Sequence, residues 1–146
     1  MTESGVLPMT PRQAFEQIQR ATLAKDPSYP DLYAEDGAHE MPFARPGVPR
    51  RIEGRENIRT FLGRAAGAAP MTFTEFRNVR VHETADPGTI ICEYDLHGVV
   101  TRTGEPFVFS YILLITVRNG QIALVRDYMD TFAMTAALGS LDGASS

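Results

Sequence analysis

The chain has 146 residues, of which 43% are hydrophobic and 22% charged; this suits one compact domain and leaves no room for a second. Lys and Arg total 14 against 18 Asp and Glu, for a net charge of -4, so no summed positive field exists to hold a phosphate backbone and nucleic acid is not an expected partner. The single cysteine, Cys92, can form no internal disulfide and belongs to no thiol cluster, which points to a reducing cytoplasm. The longest uncharged apolar run, Tyr111 to Val117, is far shorter than the roughly 20 residues of a membrane helix. With neither a basic region nor an apolar core at the N-terminus, neither a membrane span nor export is expected.

The domain is expected over residues 10–139. Residues 1–9 carry no apolar period and residues 140–146 are rich in Gly and Ser, so both ends read as loose tails. Thr10, Pro11 and Gln13 form a helix start, with a hydroxyl cap, proline at the first helical position and an amide three residues after the cap. Phe15, Ile18 and Ala21 mark its buried stripe. A short second helix is predicted from Tyr29 through Tyr33, ending in a Glu35-Asp36-Gly37 turn. A brief strand follows at Ala38 to Met41. Three prolines and a glycine exclude regular structure from Pro42 to Arg50 and predict a loop able to overhang a pocket. A helix from Arg55 to about Ala66 turns Ile58, Phe61 and Leu62 inward.

Beyond Pro70 the pattern alternates, and Met71 to Val81, Thr89 to Val100, Pro106 to Val117 and Gln121 to Tyr128 all read as strands. Ala85 to Gly88 and Arg102 to Gly104 are turns, and Asn119-Gly120 is a strong hairpin signal. The last three strands therefore form an antiparallel meander. A final helix from about Thr131 to Leu138 would stop at Gly139. Helices first and a curled sheet afterwards define an α+β arrangement, with helices over one concave face.

In the Pro106 to Val117 strand both faces are apolar. Phe107, Phe109, Tyr111, Leu113 and Ile115 lie on one side, with Val108, Ile112 and Leu114 on the other. One helical layer covers one face, so the second is expected to meet another copy of the chain in a homodimer. The last strand places Ile122, Leu124, Arg126 and Tyr128 on one side and Ala123, Val125, Asp127 and Met129 on the other. Asp127 thus shares its face with apolar residues alone. Burying its charge is costly, so it is either neutral with a raised pKa or matched by a donor. The first case gives a proton-switching carboxylate suited to acid or base catalysis, the second a structural partner for a buried hydroxyl or an Arg on another element.

In the Thr89 to Val100 strand the simplest reading makes Glu93, Asp95 and His97 solvated and Cys92, Tyr94 and Leu96 core, and a bulge would swap the two sets. His39 and Glu40 stand where a strand runs into the Pro-rich loop, so one of the two should point inward. His82 reads as a loop residue. The three histidines lack metal-ligand spacing, and hydrolase-elbow, phosphate-loop and dinucleotide motifs are all missing. Neither a metal nor a cofactor is expected.

Taken together, Asp31-Leu32-Tyr33-Ala34-Glu35-Asp36-Gly37, Glu40-Met41-Pro42-Phe43-Ala44, Pro46-Gly47, Glu53-Gly54-Arg55, Thr103-Gly104, Asn119-Gly120-Gln121-Ile122 and Arg126-Asp127-Tyr128-Met129-Asp130 resemble a SnoaL-like domain. The resemblance implies the cone-shaped α+β barrel of the nuclear transport factor two superfamily, with a deep apolar pocket and a back-to-back dimer. That superfamily includes polyketide cyclases, ketosteroid isomerase, limonene epoxide hydrolase and phenazine-pathway proteins, so the fold alone does not name a reaction.

Asp127 matches the Asp of the Arg-Asp-Tyr-Phe-Asp run that serves epoxide hydrolases as an acid or base. Their arginine and second Asp fall on Tyr94 and Leu96, or on Glu93 and Asp95 after a one-residue shift, so the arginine is missing either way. Their water-holding Asn falls on Glu40, and the base of ketosteroid isomerase falls on Met41. The expectation is a cofactor-free acid/base enzyme that cyclises or isomerises a hydrophobic oxygenated metabolite. Asp127 would move the proton, with Glu40 and His39 as further catalytic candidates, and Tyr94, Tyr111, Phe109, Leu113, Val125 and Met129 would bind substrate. Epoxide hydration and ligand binding without chemistry are the alternatives.

Overall fold

The first helix, α1 (Pro11–Ala24), begins where the local chemistry directs. The Thr10 hydroxyl accepts from the Gln13 backbone N–H at 3.2 Å, and the Gln13 side chain accepts from the Thr10 N–H at 2.9 Å. Such a reciprocal cap is worth about 1 kcal/mol. The helix buries Ala14, Phe15 and Ile18 against the sheet and ends on Lys25 in the left-handed conformation. These details belong to a computed structural model that describes residues 8–68 and 70–145. The expected N-terminal tail therefore falls mostly outside the described residues.

Tyr29–Leu32 forms one 3-10 turn, and β1 (Tyr33–Glu40) starts directly after it. The expected Glu35-Asp36-Gly37 turn is instead strand. Gly37 serves close approach there, since a Cβ would stand 2.9 Å from the Ile122 carbonyl oxygen, at the place where β1 shifts register against its neighbour. After the irregular Pro-rich segment, whose Ala44 and Val48 pack against the core, comes β2 (Arg51–Glu53). It is too short for its alternation to be read. In α2 (Arg55–Ala68) Ile58 is fully buried, and Phe61 and Leu62 pack against the same core.

The long strands are β3 (Met71–Glu83), β4 (Thr89–Val100), β5 (Pro106–Arg118) and β6 (Gln121–Met129). His82 lies inside β3 rather than in a loop, with its Nε2 2.6 Å from the Glu93 carboxylate. The sheet order is β2-β1-β6-β5-β4-β3, and every pairing is antiparallel except β1 with β6. Asn119 and Gly120 both take positive φ, 53° and 75°, which the tight β5–β6 hairpin requires.

The curved, unclosed sheet carries α1 on its inner face, so the fold is the α+β cone. The last helix, α3 (Thr131–Ser145), packs Ala137 onto Met71 and Phe109 and runs past Gly139. A helical glycine costs about 1 kcal/mol but does not by itself end a helix. No helix among the described residues is long and apolar enough to cross a membrane.

Burial follows the alternation expected of β4, with Cys92, Tyr94 and Leu96 inward. On β6 it departs from expectation. Val117 pairs with Ile122 and Thr116 with Leu124, so Ala123 is an extra residue. The bulge turns Ile122 inward beside Val125 instead of outward with Leu124.

Candidate active site

The sheet register places the centre of the site. Asp127 stands opposite Leu113, one step from the pair Tyr111 and Met129, and Tyr111 in turn stands opposite Tyr94. These residues share the inner face with buried Val125 and Leu113. Two further phenols approach from the start of the chain. Tyr29 and Tyr33 stack with ring centres 5.9 Å apart, and the charge of Asp127 acts on all four tyrosines: Tyr29, Tyr33, Tyr94 and Tyr111. Aromatic rings back the cluster, with Tyr94 stacked on Tyr111 at 5.2 Å and tilted against Phe15 and Phe76.

Asp127 Oδ1 is buried and has no hydrogen-bond partner. Burial pushes its carboxyl up to about 7 from an ordinary 3.8. The structural role, a carboxylate held by a hydroxyl or an Arg, is therefore not what surrounds this oxygen. An unpaired buried acceptor costs about 1–3 kcal/mol, and such a cost in a native fold calls for an explanation, a catalytic role being one.

His39 and Glu40 divide as alternation requires. His39 points inward, 4% exposed, and its Nδ1 lies 2.8 Å from the Tyr33 hydroxyl. Burial lowers its pKa to about 4, so the ring is neutral near neutral pH. Glu40 turns outward and is held between Arg126, 2.7 Å away, and Arg51. Asp95 is also on the outer face, bonded to Asn78 and Ser110. Neither acid is brought to Asp127.

Of the residues expected to bind substrate, Tyr94, Tyr111, Leu113, Val125 and Met129 gather around Asp127. Phe109 does not. It is sealed beneath α3 with Met71 and Phe107 in a separate cluster. Sequence reasoning passed over Tyr29 and Tyr33, although their four-residue spacing on a predicted helical turn places both rings on one side. Among the described residues no group of three or more His, Cys, Asp or Glu is placed to hold a metal ion.

A buried carboxylate oxygen without a hydrogen-bond partner thus stands at the closing strand of an α+β cone, with four phenols nearby. The chain belongs to the SnoaL-like domain family, whose model matches residues 13–125. It is 36% identical over 115 residues, 79% of each chain, to an uncharacterised PhzA/B-like protein of Pseudomonas aeruginosa. A Bacillus subtilis protein provisionally designated an isomerase superposes with a TM-score of 0.81 at 31% identity, over 88% of this chain and 92% of that one. Two structures share the fold at lower identity. A provisional polyketide cyclase of Streptomyces antibioticus gives a TM-score of 0.66 at 21% identity over 88% and 98% of the two chains. An epoxide hydrolase of Mycobacterium tuberculosis gives 0.58 at 23% over 86% of each.

Proposed function

We propose that this SnoaL-like protein is a cofactor-independent acid/base enzyme that isomerises or cyclises a hydrophobic carbonyl compound, with Asp127 moving the proton. The observation that carries the reading is the buried, unpartnered Asp127 Oδ1, in a carboxyl that burial pushes up to about 7. A base poised near the working pH is what proton abstraction needs, and help of this kind is worth roughly 10²–10⁴ in rate.

In this reading the Asp127 carboxylate takes a proton from the carbon next to a carbonyl, and the electron pair of that C–H bond moves to give an enolate. Returning the proton to a different carbon completes an isomerisation. In a cyclisation the enolate carbon instead attacks a second carbonyl of the same molecule, and the Asp127 acid protonates the new alkoxide. Both routes restore the carboxylate and balance without an outside oxidant or reductant. The names of the isomerase and cyclase structures agree with this class of reaction. Epoxide hydration is less well supported, because Glu40 and Asp95, the acids that would share a water with Asp127, face the other side of the sheet.

The free, buried Cys92 is consistent with a reducing cytoplasm. The outer face of the sheet, where Val108 and Ile112 are about half exposed and an open groove of about 630 Å³ runs past Ile112 and Tyr128, would join two copies. The catalytic reading is tested by screening enolisable carbonyl metabolites for thermal stabilisation, then analysing products with the wild type and Asp127→Asn. Product from the wild type alone supports it. Recovery of unchanged ligand from both proteins makes the chain a binding protein instead.

A further inference from the structure

His39, Tyr33 and Tyr29 form a file of hydrogen-bonding groups running from the sealed interior to the margin of the core. The His39 Nδ1 is 2.8 Å from the Tyr33 hydroxyl, and that hydroxyl is 3.4 Å from the hydroxyl of Tyr29. His39 and Tyr33 are buried, at 4% and 0% exposure, whereas Tyr29 is partly exposed and packs at the margin of the core. Tyr29 is thus the outermost of the three, and it packs in the same core cluster as Tyr94, Tyr111 and Met129, the residues around Asp127.

The file can carry its protons in either of two directions. A neutral imidazole bears one N–H and one lone pair. If Nδ1 accepts, the Tyr33 proton points inward and Tyr29 presents an oxygen lone pair toward a carboxylate. If Nδ1 donates, the Tyr33 proton points to Tyr29 and the Tyr29 proton points outward. The charge of Asp127 favours the second arrangement, because positive dipole ends then face it, and bonds in such a file polarise one another. The long Tyr33–Tyr29 separation is the kind that shortens when charge develops beyond it.

We propose that Tyr29 is the hydrogen-bond donor to the substrate's carbonyl oxygen, and that Tyr33 and His39 are positioning residues that aim its hydroxyl outward. The inference rests on the enolate chemistry of Asp127. As the proton passes to Asp127, the negative charge leaves the carboxylate and arrives on the substrate oxygen, so a donor already aimed at that region needs little rearrangement. Of the four phenols, Tyr29 is the one whose anion is favoured by a hydrogen bond from a neighbour, Tyr33; this offsets part of the effect of burial and leaves its pKa at about 12. The pKa of Tyr33, behind it, is held well above 10.

The test uses Asp127→Asn, whose neutral amide stands in for the protonated acid, and two probes of similar shape. 4-Nitrophenolate carries an oxyanion and 4-nitrotoluene does not. Binding of both to Asp127→Asn is expected, with the phenolate favoured. Adding Tyr29→Phe should weaken the phenolate by about 10- to 100-fold, the span of a charge-assisted hydrogen bond, and leave nitrotoluene within about twofold. Tyr33→Phe and His39→Leu, each in the same background, should weaken the phenolate severalfold without moving nitrotoluene. Equal loss of both probes in Tyr29→Phe would make Tyr29 a packing residue and overturn the inference, as would no loss of either, while the reading of Asp127 would stand. If neither probe binds to Asp127→Asn, Tyr29 offers no oxyanion site and the inference falls, while the reading of Asp127 is decided by the product analysis above.

Discussion

Arg126 and Asp127 are neighbours on β6, yet they face opposite sides of the sheet and cannot neutralise each other. Arg126 donates to Glu40 at 2.7 Å on the outer face, while Asp127 Oδ1 is buried without a partner on the inner one. Period-two alternation keeps the only cation adjacent in sequence away from the carboxylate. The consequence is a carboxyl whose pKa is set by burial alone.

That isolation has a thermal signature. The Asp127 pKa rises on folding from 3.8 to about 7, so the folded chain holds a proton that the unfolded chain releases between those values. Its contribution to stability is fully present below about pH 4 and is lost as pH rises through 7. Asp127→Asn is expected to raise the melting temperature by roughly 3–10 °C at pH 8, with the gain shrinking as pH approaches 4. Calorimetry across that range checks it.

His39 acts in the opposite sense. Burial lowers its pKa from 6.5 to about 4, so the unfolded chain takes up a proton first and stability falls as pH drops through that window. Between about pH 4 and 6.5 the two slopes nearly cancel, so these residues leave the wild type almost indifferent to pH. Asp127→Asn should then lose up to about 1.4 kcal/mol per pH unit on acidification through that window, and His39→Leu should gain at a similar rate. Denaturant unfolding at pH 4.5, 5.5 and 6.5 measures both.

Glu40 ends β1 at the mouth of the Pro-rich loop, a place from which a side chain can enter a pocket. Its carboxylate is committed to Arg51 and Arg126 instead. Glu40→Gln should leave kcat within about threefold of the wild type. Stability should drop by about 1 kcal/mol, as expected for partly exposed charged pairs.

The outer face makes a separate prediction. Ile112 is 46% exposed in the middle of the sheet, where a second copy would cover it. Ile112→Glu should convert a dimer into a folded monomer, which sedimentation and circular dichroism would establish together. A wild type that sediments as a monomer would rule out the sheet-to-sheet dimer.

Much of this arrangement is legible before folding. The Thr10 cap, the Asn119-Gly120 hairpin and the inward turn of Asp127 each follow from rules that act within a few residues. Failures arose where a partner strand decides. The Ala123 bulge is set by pairing with β5 and reverses the side taken by Ile122. Gly37 reads as a turn residue, but it is there because the Ile122 carbonyl comes so near. Phe109 shares a strand face with Tyr111, yet α3 covers it, and no periodicity in β5 reveals where that helix lands. The file from His39 to Tyr29 crosses a register shift in β1, which hides it from spacing rules.

Infrared difference spectroscopy of the wild type against Asp127→Asn, followed from pH 4 to pH 9, tests the central claim most directly. The protonated C=O band of Asp127 should persist through pH 6 and reach half its height near pH 7, as its buried position requires. Loss of that band near pH 4 would mean an ordinary solvated carboxylate and would contradict the account.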